Sequence, residues 1–238
     1  MTWLEAARQN HREAAAMFRN VAPLFEKIEV APLSITHACR MHMFTRRAMG
    51  SKLFDMGKVM PGDWDQEFGG VANPSLAQDP IITGIRRRYL DGLPWSETGV
   101  IEHKLFQIAR SPRGKIDGCR TREDLERRYA ALDDVAASIQ SEGYRVRHDL
   151  EANPVPGYDD ISISIGRQGE LLLATGGLHR LGILQAVGYK KISVLVVTRH
   201  QEWQQRRDLN VADDHPDFLS MFDGAPPSRG SGGPSLGN

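Results

Sequence analysis

Residues 161–200 constrain the fold more than any other stretch of the chain. Residues 161–165 (ISISI) alternate a β-branched residue with serine, the period of an extended strand. Gly166-Arg167-Gln168-Gly169 then reads as a turn and residues 170–174 (ELLLA) as a second strand, so the pair predicts a hairpin. Gly176-Gly177-Leu178-His179-Arg180 makes a glycine-rich corner. After it, Leu181, Ile183, Leu184 and Val187 recur at helical spacing, Gly188 stops the helix, and residues 192–198 (ISVLVVT) supply a further strand. The order strand, turn, strand, corner, helix, strand predicts an α+β fold with a small mixed sheet.

The corner has a chemical use. Paired glycines let a backbone approach a ligand closely, and a helix that begins near His179 presents free N–H groups and the positive end of its dipole. His179 and Arg180 add side-chain donors at the same place, a combination suited to an anion, above all a phosphate. The expectation requires the Arg180 guanidinium to face a cleft rather than bulk solvent.

A Gly-x-His-Arg-Leu pattern that opens a short helix between two strands resembles the corner of the ParB/sulfiredoxin-like superfamily. That group includes partition-protein CTPase domains, sulfiredoxins and free-serine kinases. The likeness spans roughly residues 161–200. It implies a nucleotide-binding corner at Gly176, Gly177, Leu178, His179 and Arg180, and ATP or another nucleotide with Mg²⁺ as cofactors. Sulfiredoxins carry a reactive cysteine directly before the His-Arg pair, where this chain has Leu178, so their chemistry is not expected. Partition proteins continue into a long helix-turn-helix domain, and here His200 is followed mainly by a Gly/Pro/Ser-rich stretch. The kinase-like members are the nearest in spirit. Many of them read Asp-Gly-x-His-Arg, and this chain has Gly176 at the acidic position.

Phosphoryl transfer asks a protein mainly to hold phosphates in line, neutralise their charge and set a carboxylate near the acceptor hydroxyl. The candidate carboxylates are Asp63, Asp65, Asp160 and Glu170, with His179 the remaining catalytic candidate. Asp63 and Asp65 flank Trp64 after a Pro61-Gly62 turn and would point to one side in an extended segment. The expected activity is transfer of a phosphoryl group from a nucleotide to a small-molecule hydroxyl. The alternative is a non-catalytic module for a nucleotide or phosphorylated metabolite.

The remaining sequence sets bounds. With 30 Lys and Arg against 30 Asp and Glu, the formal charge is +0, so no global field favours nucleic acid or an anionic membrane. Arg86-Arg87-Arg88 and Arg46-Arg47 keep a DNA-binding or nuclease role as a lesser alternative, and a solvated helix face is the plainer reading of the triple arginine. Apolar runs fall short of a membrane span, the N-terminus lacks the order of a signal peptide, and two cysteines make no disulfide framework. A cytoplasmic protein is expected. His37, Cys39 and His42 sit close together but form no closed ligand set, so no metal site is predicted there.

Thr2 should cap a helix reaching about residue 20, and residues 30–36 read as a short extended segment. Residues 121–142 form the most secure helix, with Thr121 as cap and Asp124 at its third position, and read as a structural strut. Trp203 should anchor a helix running to about Asp208. The expected organisation is a mainly helical region over residues 1–143, a sheet-containing core over 144–208 and a disordered tail over 224–238.

Overall fold

The computed structural model describes residues 1–144, 160–210 and 214–219. The expected tail and the loop before Asp160 lie outside these. The fold is α+β: a six-stranded mixed sheet with helices on both faces. The strands are β1 (Lys27–Val30), β2 (Ile35–Ala38), β3 (Lys58–Met60), β4 (Ser162–Ile165), β5 (Leu171–Leu173) and β6 (Ile192–His200). The described helices are α1 (Trp3–Met17), α2 (Arg40–Met49), α3 (Pro80–Tyr89), α4 (Val100–Arg110), α5 (Arg122–Glu142), α6 (Leu178–Ala186), α7 (Gln201–Asp208) and α8 (Pro216–Leu219).

The nine-residue β6 organises the sheet. On one side it pairs with β4 in parallel, β4 pairs with β5 antiparallel, and β5 pairs with β2 in parallel. On its other side β1 lies antiparallel along the first half (Lys27 opposite Leu195, Val30 opposite Ile192), and β3 lies parallel along the second (Lys58 opposite Thr198, Met60 opposite His200). The apolar run of β6 fits a strand buried on both faces.

Two helical layers supply that burial. Ile163, Ile165, Leu171, Leu173, Val194 and Val196 face a core completed by α3, α4, α5 and α6, including Ile82, Ile85, Leu125, Tyr129 and Leu181. The intervening positions face the other way: Leu195 and Val197 meet Ala7 of α1 with Leu53 and Met56, and Leu172 meets Cys39, Met41 and Trp64. The serines of ISISI would face water in a one-sided sheet, but both are fully buried in this second layer. Ser162 Oγ donates to the Ala174 carbonyl at 3.1 Å, and Ser164 Oγ lies 2.6 Å from His42 Nε2.

Both expected caps form. Thr2 and Glu5 close a capping box on α1, which ends at Met17, and Thr121 and Asp124 close another on α5. The division expected at residue 143 does not mark a packing boundary. Three of the six strands come from the mainly helical first region, and one core takes side chains from both sides of that position. Among the described residues no helix is long and apolar enough to cross a membrane.

Candidate functional site at the glycine corner

The β4–β5 hairpin has two ends, and the candidate residues divide between them. β5, about 10 Å long at the rise of an extended strand, separates the turn at residues 166–170 from the corner at residues 176–180. Asp63, Asp65 and Glu170 lie at the turn end, while Asp160 lies at the corner end with Gly176, Gly177, Leu178, His179 and Arg180. The five catalytic candidates therefore do not form one cluster.

At the turn end the two aspartates converge on Arg167. Its guanidinium donates to Asp65 at 2.9 and 2.8 Å, to Asp63 at 2.7 Å and to the Gly62 carbonyl at 3.0 Å, and its backbone N–H reaches Asp65 at 2.9 Å. Burial would raise the Asp65 pKa, but the hydrogen bonds from Arg167 outweigh it and hold the carboxyl below its ordinary value. Glu170 turns back over the hairpin, where its carboxylate accepts from Gln168 N–H at 3.0 Å. Asp63 and Asp65 clamp the loops after β3 and β4 together through Arg167, and both oxygens of Asp65 are engaged in that task. Trp64 is buried beside them, its indole N–H donating to Met60 at 3.2 Å.

At the corner end, Gly177 caps α6 in the left-handed region at φ 72°. A Cβ there would stand 2.8 Å from Ile161 Cγ1 and 3.0 Å from Ile161 Cα. The glycine thus brings the helix start against the first residues of the hairpin, a close approach to protein backbone rather than to a ligand. Gly177→Ala should cost about 2–4 kcal/mol, from a strained φ together with overlap against backbone that cannot move aside. Urea denaturation checks this, with Gly188→Ala (φ 70°, open space around the added atom) as a control losing about 1–2 kcal/mol.

The start of α6 opens on a cavity of about 660 Å³. Leu132, Val135 and Ile139 of α5, with Tyr144 and Leu178, give it an apolar wall. Arg180 and Arg128 are the two arginines on its lining, and neither has an ion-pair partner among the described residues. Asp134 and Glu142 are the carboxylates on its lining. The first-turn N–H groups of α6 face no carbonyl within the helix. A cavity of this size with an apolar wall and a few convergent polar groups has the build of a small-molecule site.

His179 differs from the expected cationic donor. Its ring stacks at a tilt on Tyr129, centroids 5.7 Å apart, and its Nε2 lies 3.3 Å from the Tyr129 hydroxyl. Burial, then the charges of Lys104 and Arg128, lower its pKa from 6.5 to about 4. The imidazole is neutral at neutral pH, and Arg128 from α5 takes its place as the second cation. No local signal marks Arg128, because α5 carries every mark of a strut. Only the folding of that helix over the corner makes it a wall.

A second polar array had no sequence signal. Ser164 Oγ, His42 Nε2, His42 Nδ1 and Asp55 Oδ2 are linked at 2.6 and 3.0 Å, the spacing of a nucleophile, base and acid. Ser164 and His42 are both 0% exposed, so no substrate can reach the hydroxyl, and the array is part of the core. Cys39 is buried beside it, whereas His37 is exposed. Among the described residues no group of three or more His, Cys, Asp or Glu is placed to hold a metal ion.

Comparison with family models, with curated proteins and with solved structures finds no match for this chain.

Proposed function

We propose that the chain binds a nucleotide at the glycine corner and transfers a phosphoryl group from it to a small-molecule hydroxyl. The observation that carries the reading is the meeting of Arg180 and Arg128 on the lining of one cavity at the N-terminus of α6, neither in an ion-pair contact among the described residues. Two unpaired guanidinium groups and free helix N–H groups suit phosphate oxygens. The apolar wall of Leu132, Val135 and Ile139 suits a base or another flat apolar body. Mg²⁺ usually binds through phosphate oxygens with only one or two protein carboxylates. Asp134 and Glu142 are the carboxylates on the cavity lining, whereas Asp160 is fully buried at this end and does not line it. When bound, the metal would neutralise phosphate charge, while the two arginines orient the phosphates.

One observation favours the second reading, a binding module without turnover. Asp63, Asp65 and Glu170 lie at the far end of the hairpin and are engaged there, and the position that is acidic in the kinase-like pattern is Gly176.

Calorimetric titration with a panel of nucleoside di- and triphosphates in the presence of Mg²⁺ tests the binding step. Arg180→Ala should weaken the best ligand by about ten- to a hundredfold, the loss of one charge-assisted contact. If no member of the panel binds the unaltered chain, the reading fails. Release of nucleoside diphosphate in the presence of candidate hydroxyl acceptors then separates the transferase from the module.

A further inference from the structure

We propose that the cleft between α1 and α2 is a second ligand site, built for a small amphiphilic anion: a carboxylate carried on a short apolar body. The cleft lies on the helical layer opposite the glycine corner and does not depend on the nucleotide reading. Its volume is about 520 Å³. Ala6, Phe44, Ala48, Met49 and Phe54 form its walls. Phe44 and Met49 remain 49% and 51% exposed, so apolar area on the wall is left for a ligand to cover.

The floor decides the charge of the occupant. Asp55 is the one carboxylate on the lining, and its oxygens are engaged from both sides. Lys58 Nζ meets Oδ1 at 2.6 Å, and His42 Nδ1 meets Oδ2 at 3.0 Å from within the core. A cationic ligand would find that carboxylate already occupied. Lys58 is different: its side chain is 36% exposed, and an ammonium has three donors, of which Asp55 takes one. Arg47, on the wall contributed by α2, has no ion-pair partner among the described residues. His42 holds Asp55 from the core side, so the Asp55 carboxylate is satisfied from within and Lys58 keeps donors free for a ligand. Cations at the floor and wall below apolar sides complement a carboxylate head that enters first, with its hydrocarbon against Phe44, Ala48 and Met49.

The test is a titration of the full chain, followed by amide chemical shifts, with octanoate, octanol and octylammonium as probes. Octanoate should shift the amides of residues 2–10, 44–49 and 54–58 in a saturable way. Octanol should bind at least about tenfold more weakly, and octylammonium should leave these amides in place. Arg47→Gln and Lys58→Met should each weaken octanoate by at least about fivefold while leaving octanol unchanged. Ala48→Trp, a change at an exposed position, should block all binding without unfolding the chain. Equal binding of the three probes, octanoate affinity that ignores both cation substitutions, or shifts scattered over every face would each overturn the proposal. None of these outcomes bears on the nucleotide site, because Arg47, Ala48 and Lys58 do not line it.

Discussion

Asp217→Asn should be among the most damaging single substitutions in the chain, costing about 3–5 kcal/mol, because it leaves buried cations without their counter-charge. Asp217 is 0% exposed, in the short α8 segment that packs against the sheet beside β1 and β6. Arg199 Nε donates to both carboxylate oxygens at 3.1 Å, Arg207 reaches one at 2.9 Å and the Trp203 indole N–H donates at 2.8 Å. Glu26, next to β1, is the only other carboxylate paired with Arg199 in the described residues. Burial pushes the Asp217 pKa up, but the charges of Arg199 and Arg207 outweigh it and hold the carboxyl far below its ordinary value of 3.8. A depressed pKa of this kind contributes stability above about pH 4 that is lost as the pH falls further. Urea denaturation at pH 7 should therefore show the full loss in Asp217→Asn. The gap between variant and parent should narrow steadily below pH 4. A loss under about 1 kcal/mol at pH 7 would mean that Glu26 alone suffices for both arginines.

That cluster also marks where sequence reading stops. Trp203 was visible as an anchor after the last strand, since a tryptophan among polar residues has few other uses. Its partner Asp217 was not, because nothing local distinguishes it from a solvated aspartate. The same contrast runs through the fold. The caps at Thr2 and Thr121, the hairpin and the buried apolar run of β6 are local signals, each carried by a few adjacent residues. β1, β2 and β3 are three or four residues long, too short to show a period, and they exist because β6 and β5 offer them an edge. So the first region reads as mainly helical, with only the extended segment at residues 30–36 touching the ends of β1 and β2 and nothing marking β3.

The site follows the same rule. The corner was legible because a glycine pair followed by His-Arg at a helix start is a local pattern. Whether it opened on a cavity depended on α5, which arrives from a distant part of the chain and brings Arg128 and the apolar wall. The aspartates around Trp64 do converge, but through a turn rather than an extended segment, and on Arg167 at the opposite end of the hairpin. Which end they reach is set by the parallel pairing of β3 with β6, a contact separated by well over a hundred residues that no local signal announces.

The buried pair of His42 and Asp55 should give the protein an alkaline limb of instability that one substitution removes. His42 is 0% exposed on α2, and burial by itself would lower its pKa. The neighbouring Cys39 sulfur and the Asp55 carboxylate outweigh that and raise it from 6.5 to about 9. Asp55 moves the opposite way, from 3.8 to about 2: burial would raise it, and the His42 contact with that of Lys58 overcomes the burial. The raised histidine contributes stability that is complete below pH 6.5 and is lost as the pH climbs through about 9. The depressed aspartate contributes stability that is complete above pH 3.8 and is lost as the pH falls through about 2. Both describe one interaction, which is therefore whole only between those windows. Unfolding free energy should drop by about 3 kcal/mol from pH 6 to pH 9.5, at a slope approaching 1.4 kcal/mol per pH unit. In His42→Gln this decline should vanish, and the variant should be about 3 kcal/mol weaker than the parent at pH 6 yet nearly equal to it at pH 9.5. A parent curve that stays flat from pH 6 to 9.5 would show that the imidazole is neutral in the core. Asp55 at the floor of the α1–α2 cleft would then be balanced by Lys58 alone, and Arg47 would have to recognise the anion.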